Sequence, residues 1–262
     1  MINLRPDFAA AAIQKFLYDA EGTNHRYRSW DHCHLAFRNA RKLKSEGKNF
    51  DKDLLSLHLS CYLSSWGMLR NSFLLDRDYK THLGIVDILL DETNDLLWSF
   101  PGNQNDEALN AKTLKSCWTA IKTSWEAFTA AYGVASITDT LVSKILLGTC
   151  GCIPATDRLF KKGVGAFNGT QYFGLSSYSE IVRYYWENWE EISSHLGGTS
   201  LVAQDDLSTP YPPMKLMDMC FWQIGYSISL YDEGMDEEHR FSRLHENDKY
   251  AVLHSLLEMP AD

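Results

Sequence analysis

One short segment of the chain, residues 143–158, places a lysine, a glycine-containing turn and an aspartate in succession. Lys144 lies in an apolar stretch with helical spacing, and burial favours the neutral amine of a lysine, which can attack an anomeric carbon. Asp157 opens a basic helix, where a carboxylate can cap the free N–H groups. The pair is suited to chemistry on a sugar–base bond. In the alternative interpretation, Lys144 extends its charge to solvent and Asp157 only caps its helix.

The link between Lys144 and Asp157 has the residues of a tight turn. Gly148 and Gly151 allow a backbone with positive φ, and Pro154 prevents the preceding helix from continuing. We therefore expect a hairpin that directs the amine and the carboxylate toward one pocket.

The composition and the spacing of apolar residues predict the fold class. The chain has 262 residues, of which 45% are hydrophobic and 13% aromatic, so it can bury a large core. Apolar residues recur at helical spacing, and no series of alternating short strands is present, which predicts an all-α protein. We expect one compact helical domain over 1–262, in which two lobes, 1–133 and 134–262, flank a cleft and carry a helix-hairpin-helix-like element.

Proline and glycine clusters divide the chain into predicted helices. Residues 101–103 and 210–213 are examples, since both clusters favour turns or forbid helix. The predicted helices span 6–20, 30–46, 52–76, 79–99, 107–132, 138–148, 157–166, 176–195, 213–232 and 237–258. The segment 197–212 is predicted to be the longest part without a helix.

Charge is unevenly distributed along the chain. The net charge of −9 argues against a uniformly basic nucleic-acid binder, because phosphate contacts supply most nonspecific affinity. Five basic residues nevertheless fall within 38–48, against a single glutamate, while acidic residues concentrate in 232–262. The sequence is therefore consistent with one basic face on an acidic body.

The cysteines and the lengths of the apolar runs indicate the cellular compartment of the protein. The six cysteines form no Cys-x-x-Cys pair, and the N-terminus lacks a basic stretch followed by an apolar one. No uninterrupted apolar run reaches the roughly 18 residues of a bilayer span. We expect a cytoplasmic protein without a membrane partner. Neither 32–34 nor His58-x-x-Cys61 matches common zinc spacing, so we expect no metal and no cofactor.

Two segments resemble the helix-hairpin-helix superfamily of DNA glycosylases, especially its 8-oxoguanine-glycosylase-like bacterial branch. The segment 143–157 is similar to that family's pattern of helix with lysine, hairpin, proline and aspartate. The segment 214–225 is similar to a late helix of such chains, in which an aspartate and apolar residues precede Trp-Gln. The thirteen steps from Lys144 to Asp157 are fewer than in the better-known members.

The resemblance implies removal of a modified base from DNA, either in repair or in defence against phage DNA with modified bases. Asp157 would stabilise the developing oxocarbenium ion or position a water molecule. Lys144 would attack C1′ to form a Schiff base, with incision of the strand. An amine that cannot reach C1′ would leave a monofunctional enzyme and an abasic site.

Such an enzyme must extrude its target base into a pocket that stacks aromatic rings against it. An aromatic residue expected in this pocket could instead pack in the core. Asp218 could instead contact Lys144, cap a helix or form an ordinary buried salt bridge. The expected pocket residues are Trp66, Arg70, Asn71, Tyr172, Phe173, Tyr185 and Asp218. Backbone N–H groups of the turn and nearby basic side chains are expected to bind DNA phosphates. These residues are Gly148, Thr149, Gly151, Arg158, Lys161 and Lys162.

Two other classes of protein stay open. An all-α ribonuclease of the toxin type often carries an arginine and a histidine with four to six residues between them. Three pairs fit this spacing: Arg240 with His245, Arg26 with His32, and Arg28 with His34. The second of these classes is a helical interaction protein without enzymatic activity. An acidic surface and many aromatic residues suit protein partners as well as a core. The number of subunits is not predicted.

Overall fold

The computed structural model describes residues 1–22, 25–203, 206 and 208–259. Within these residues the chain forms ten α-helices and five short 3-10 helices, and its β-structure is limited to a bridge between Val202 and Pro210. The prediction of an all-α protein is confirmed. Among the helices described, none is both long and apolar enough to cross a bilayer.

Side-chain caps define where several helices begin. Asp51 and Asp106 each accept two backbone N–H bonds at the start of a helix, which satisfies groups that have no partner within the helix. The α-helices are α1 (Pro6–Gly22), α2 (Ser29–Ser45), α3 (Lys52–Ser65), α4 (Leu83–Leu90), α5 (Glu107–Tyr132), α6 (Asp139–Thr149), α7 (Arg158–Ala166), α8 (Leu175–Leu196), α9 (Pro213–Glu233) and α10 (Glu246–Leu257). The 3-10 helices are His25–Arg28, Phe73–Asp76, Tyr79–His82, Glu92–Trp98 and Phe241–Arg243.

The chain divides into two compact units, each built from separate segments. The first unit contains Met1–Thr23, Ala155–Ser200 and Leu216–Asp262. The second unit contains Asn24–Pro154 and Leu201–Lys215. The predicted lobe boundary at residue 133 thus lies inside the second unit.

The helix predicted over 52–76 is shorter than expected. Helix α3 ends at Ser65, and Gly67 follows with φ of 74°. Asn71 also has a positive φ, of 52°, which no right-handed helix contains. The prediction that Arg70 and Asn71 lie on this apolar helix is therefore wrong, and both side chains are exposed.

The helix predicted over 79–99 is divided into three pieces, of which only α4 is α-helical. Asp91 ends α4 in an extended conformation and accepts a hydrogen bond from the N–H of Thr93 at 2.9 Å, so it caps the next 3-10 helix. The side chain of an aspartate competes in this way with continuation of a helix. The last predicted helix, 237–258, begins only at Glu246.

In the first unit, α7 and α9 cross at two glycines. A Cβ atom added to Gly163 would overlap the carbonyl oxygen of Phe221, and one added to Gly225 would overlap the carbonyl oxygen of Leu159. The two backbones therefore touch without a side chain between them. This crossing fixes α7, and with it Asp157 at the start of that helix.

In the second unit, α2, α3 and α6 pack against one another in pairs. The indole N–H of Trp30 on α2 donates a hydrogen bond to the carbonyl of Leu147 on α6 at 2.8 Å. Gly148 allows Tyr62 of α3 to lie directly against α6, because a Cβ at this position would come within 2.6 Å of the ring. These contacts hold the helices that carry the candidate site.

Candidate functional site

Lys144 lies on α6 in the second unit and is nearly fully buried, with 3% of its surface exposed. Its ammonium nitrogen is 4.9 Å from the centre of the Trp66 ring. A cation at this distance from an indole face is attracted by the quadrupole of the ring. Lys144 is therefore removed from bulk water, and a sugar carbon reaches its Nζ only after the covering side chains move.

A second buried lysine, Lys215, lies beside the same indole. It is 1% exposed, and its Nζ is 5.9 Å from the Trp66 ring and 5.2 Å from the Trp30 ring. Lys215 was not among the predicted site residues, although it lies between two apolar residues in the segment 214–225. Its apolar neighbours in the sequence could have indicated that this lysine is buried.

The Trp66 ring is enclosed by further aromatic and charged groups of the second unit. Tyr27 stacks on it with 5.3 Å between ring centres and 20° between planes. The guanidinium of Arg26 lies 5.8 Å from its centre. Trp66 thus belongs to a packed cluster of cations and rings, while the other two expected pocket residues of this region, Arg70 and Asn71, are exposed in the turn after α3.

His34 on α2 stacks on Trp30, with 4.4 Å between ring centres. Its Nδ1 lies 2.7 Å from the carbonyl oxygen of Thr149, and because a carbonyl oxygen only accepts, Nδ1 carries the proton. Burial lowers the pKa of His34 to about 3, so the ring is neutral. Its Nε2 accepts no hydrogen bond from any residue that the structure describes. With Nδ1 protonated, the unpaired Nε2 of His34 can accept a proton but not donate one, and the ribonuclease alternative built on Arg28 and His34 stays a prediction.

The turn after α6 differs from the expected phosphate-binding turn. Gly148 and Thr149 are buried within the last turn of α6, where the Thr149 hydroxyl donates to the carbonyl of Ile145 at 2.7 Å. Gly151 is the turn residue with a positive φ, of 68°, and a Cβ there would come within 2.6 Å of Pro212. Of the three predicted turn residues, Gly151 is the one that lies outside the helix.

Gly151 lines a cavity of about 780 Å³ in the second unit. One wall is the basic face of α2, and the rest includes aromatic side chains and the segment 210–213. The basic residues are Arg38, Arg41, Lys42 and Lys44, and the aromatic residues are Trp98, Phe100 and Tyr211. The basic run that the sequence analysis located in 38–48 therefore faces a concave surface.

Asp157 belongs to the first unit and is half-buried. Its Oδ1 accepts hydrogen bonds from the N–H groups of Leu159 and Phe160, each at 3.0 Å, so it caps α7. Asp218 on α9 is 4% exposed and accepts a hydrogen bond from the N–H of Ala155 at 3.0 Å. Both carboxylates are thus held by backbone N–H donors of the segment that precedes or begins α7.

The other predicted residues of the first unit have varied environments. Arg158 is exposed and Lys161 half-buried, while Lys162 forms an ion pair with Asp232 at 2.8 Å. Lys162 is therefore partly neutralised by an acid of the same unit.

The aromatic candidates of the first unit also differ in burial. Tyr172 is 61% exposed and Phe173 half-buried. Tyr185 stacks on Trp189 at 5.0 Å, and burial raises the pKa of Tyr185 to about 12. The predicted residues are therefore divided, with Lys144, Trp66 and the turn in the second unit and Asp157, Asp218 and these aromatic residues in the first.

Comparison of the chain with protein-family models, with curated proteins and with solved structures finds no match. Among the described residues, no three or more His, Cys, Asp and Glu side chains come together in a way that could hold a metal ion. The interpretation of the site therefore depends on its own geometry and on the resemblance of the two segments.

Proposed function

We propose that this protein is a DNA N-glycosylase that extrudes a modified base and breaks its N-glycosidic bond. The observation that carries the proposal is the position of Lys144, whose ammonium lies against the Trp66 ring with almost no exposure to water. Burying an ionisable group is costly, and such groups concentrate at functional sites. The resemblance of residues 143–157 assigns this lysine the role of a nucleophile.

The chemistry of Lys144 requires its neutral amine. The amine attacks C1′ of the extruded nucleotide, and the bond between C1′ and the base nitrogen breaks. The bonding electrons leave with the base, which takes up the proton that the amine loses. Opening of the sugar then yields an imine between Nζ and C1′. Elimination from that imine cuts the strand on the 3′ side.

Asp157 supplies the carboxylate in this proposal. Two backbone N–H bonds hold its Oδ1, so the group is fixed before substrate arrives. A fixed negative charge stabilises positive charge that develops on the sugar as the base departs. In a reaction without Lys144, the same carboxylate would orient the water that attacks C1′.

The test uses duplexes that each contain one modified base, such as an oxidised guanine or a bulky modified cytosine. Base release is detected as strand breaks after alkali, and the imine is trapped by borohydride as a covalent complex of protein and DNA. Lys144→Met should abolish trapping, whereas Lys215→Met, which removes the neighbouring buried amine, should retain it. Asp157→Asn should abolish base release.

The outcomes separate the three classes of protein. If trapping is lost in Lys215→Met and kept in Lys144→Met, the nucleophile is Lys215 and the role proposed for Lys144 is wrong. Cutting of RNA without base release would support the ribonuclease. Binding to no nucleic acid and release of no base would overturn the proposal in favour of an interaction protein.

A further inference from the structure

The cavity of the second unit takes no part in the proposed reaction. Its volume of about 780 Å³ falls within the roughly 300–1,000 Å³ of cavities that enclose small-molecule ligands. It is lined by residues of one unit, so the shape depends on that unit alone. The nature of the ligand follows from the charges and rings in the wall.

Two of the four cations in the wall are already engaged with the protein. The guanidinium of Arg41 forms an ion pair with Asp95 at 2.7 Å. The ammonium of Lys44 donates to the carbonyl of Leu90 at 2.6 Å. The Asp95 carboxylate offsets the charge of Arg41, whereas the Leu90 carbonyl only orients Lys44. The carboxylate of Glu92 also lines the wall.

Arg38 and Lys42 are the other two cations. They are four residues apart on α2 and exposed, and neither side chain forms an ion pair or hydrogen bond with another residue that the structure describes. Hydrogen bonds lower the pKa of Asp206, and the positive charge of Arg38 adds to this shift. Like charges at this spacing on a helix repel each other. An anion between them would remove the repulsion, and a guanidinium beside an ammonium is a common arrangement for binding a phosphate.

Aromatic rings form another part of the wall. The indole N–H of Trp98 donates to the carbonyl of Leu89 at 2.9 Å, and the guanidinium of Arg41 lies 5.0 Å from its ring centre. Phe100 is half-buried in the same wall. Rings held in place in this way are suited to stack against the flat face of a base.

His34 gives the wall one buried hydrogen-bond acceptor. Its Nδ1 donates to Thr149, so its Nε2 has a lone pair, and among the described residues no donor pairs with it. A buried acceptor without a partner is costly. An amino or hydroxyl group of a ligand would satisfy it.

We infer that this cavity binds a nucleotide, with its phosphate between Arg38 and Lys42, its base against Trp98 and Phe100, and one of its donors on His34. The nucleotide is either free or part of a DNA strand. The two sources share the same chemistry, a phosphate ester joined to a planar base. Binding does not require cleavage of any bond, so the inference and the glycosylase proposal fail independently.

Isothermal titration calorimetry with the full chain tests the inference. A deoxynucleoside 5′-monophosphate and the matching nucleoside, which lacks the phosphate, are compared with a short single-stranded oligonucleotide. The monophosphate or the oligonucleotide should bind on the order of 10-fold more tightly than the nucleoside, because each charge-assisted hydrogen bond contributes strongly. The double variant Arg38→Gln/Lys42→Gln should lose that advantage.

A matched control removes the same charge elsewhere on the second unit. Lys112 and Lys115 are exposed on α5 and do not line the cavity, so Lys112→Gln/Lys115→Gln should bind like the unaltered protein. Loss of monophosphate binding in the Arg38 and Lys42 variant supports a free nucleotide, and loss of oligonucleotide binding alone supports a DNA strand. Equal binding of nucleoside and monophosphate, or equal losses in both double variants, would overturn the inference.

Discussion

Replacing Gly163 by alanine should destabilise the first unit, because α7 and α9 touch through their backbones at this position. The added Cβ would overlap the Phe221 carbonyl oxygen and would lie 2.8 Å from the carbonyl carbon. Contacts between carbon atoms are optimal at about 3.5–4.0 Å. The two helices must therefore separate by roughly 0.7 Å or more.

Two opposing contributions decide the change in unfolding free energy of Gly163→Ala. Alanine is favoured over glycine by about 1 kcal/mol in a helix interior. Overpacking typically costs about 1–3 kcal/mol and occasionally more. The obstacle here is the backbone of a neighbouring helix, which has no alternative rotamer, so the cost falls at the upper end. The expected result is a net loss of about 2 kcal/mol.

Urea titrations followed by circular dichroism measure this loss. Gly198→Ala is the control, because no atom lies within 4 Å of a Cβ added there. Since Asp157 caps the start of α7, a shift of α7 on the order of 1 Å should also lower base release by about 100-fold in the folded variant. Equal urea midpoints for Gly163→Ala and Gly198→Ala would show that the contact between α7 and α9 accommodates a methyl group without cost.

Three further perturbations test the capping carboxylate, the buried histidines and the contact between α3 and α6. Asp157→Asn should keep the helix cap, so its free energy of unfolding should stay within a few tenths of a kcal/mol of that of the unaltered protein, whereas Asp157→Ala should lower it by about 1 kcal/mol. Both variants should lose base release. Base release by Asp157→Asn would mean that the carboxylate only caps α7. The pKa of His34 falls from 6.5 to about 3 and that of His82 to about 4, so the unfolded chain binds more protons and the unfolding free energy should decrease as pH falls from 6.5 toward 4. His34→Phe should make this pH dependence shallower in urea titrations, and an unchanged slope would contradict it. Gly148→Ala should lower the urea midpoint, since its Cβ would come within 2.6 Å of the buried Tyr62 ring, with a net cost of about 1 kcal/mol; an unchanged midpoint would mean that the ring moves away freely.

Helices with strong caps and regular apolar spacing were predictable from the sequence. The helix predicted over 107–132 is reproduced residue for residue as α5, since Asp106 caps its start and Gly133 ends it in the left-handed region. The segment 52–76 was mispredicted, because an apolar pattern continues past the point where Gly67 changes the direction of the backbone. The spacing of apolar residues indicates which side chains are buried, but it does not predict φ at a single glycine and therefore does not predict where the helix ends.

The candidate site was predictable only in its local parts. The cap formed by Asp157 and the burial of Lys144 follow from neighbouring residues. The approach of Lys215 to the ring of Trp66 joins positions almost 150 residues apart in sequence, and no local pattern contains that information. The same is true of the cavity, whose wall combines α2 with the segment 210–213.

In the two proposals, the second unit binds a ligand at one place and forms a covalent bond at another. The cavity presents exposed cations at Arg38 and Lys42, which attract an anion from solution over several ångströms. Lys144 is buried beside Trp66, away from bulk water, and attack on C1′ requires its neutral amine. Surroundings as closed as those of Lys144 would not admit a nucleotide from solution. If both proposals hold, an opening step that uncovers Lys144 must therefore precede attack on C1′, and binding and bond cleavage should respond to different substitutions.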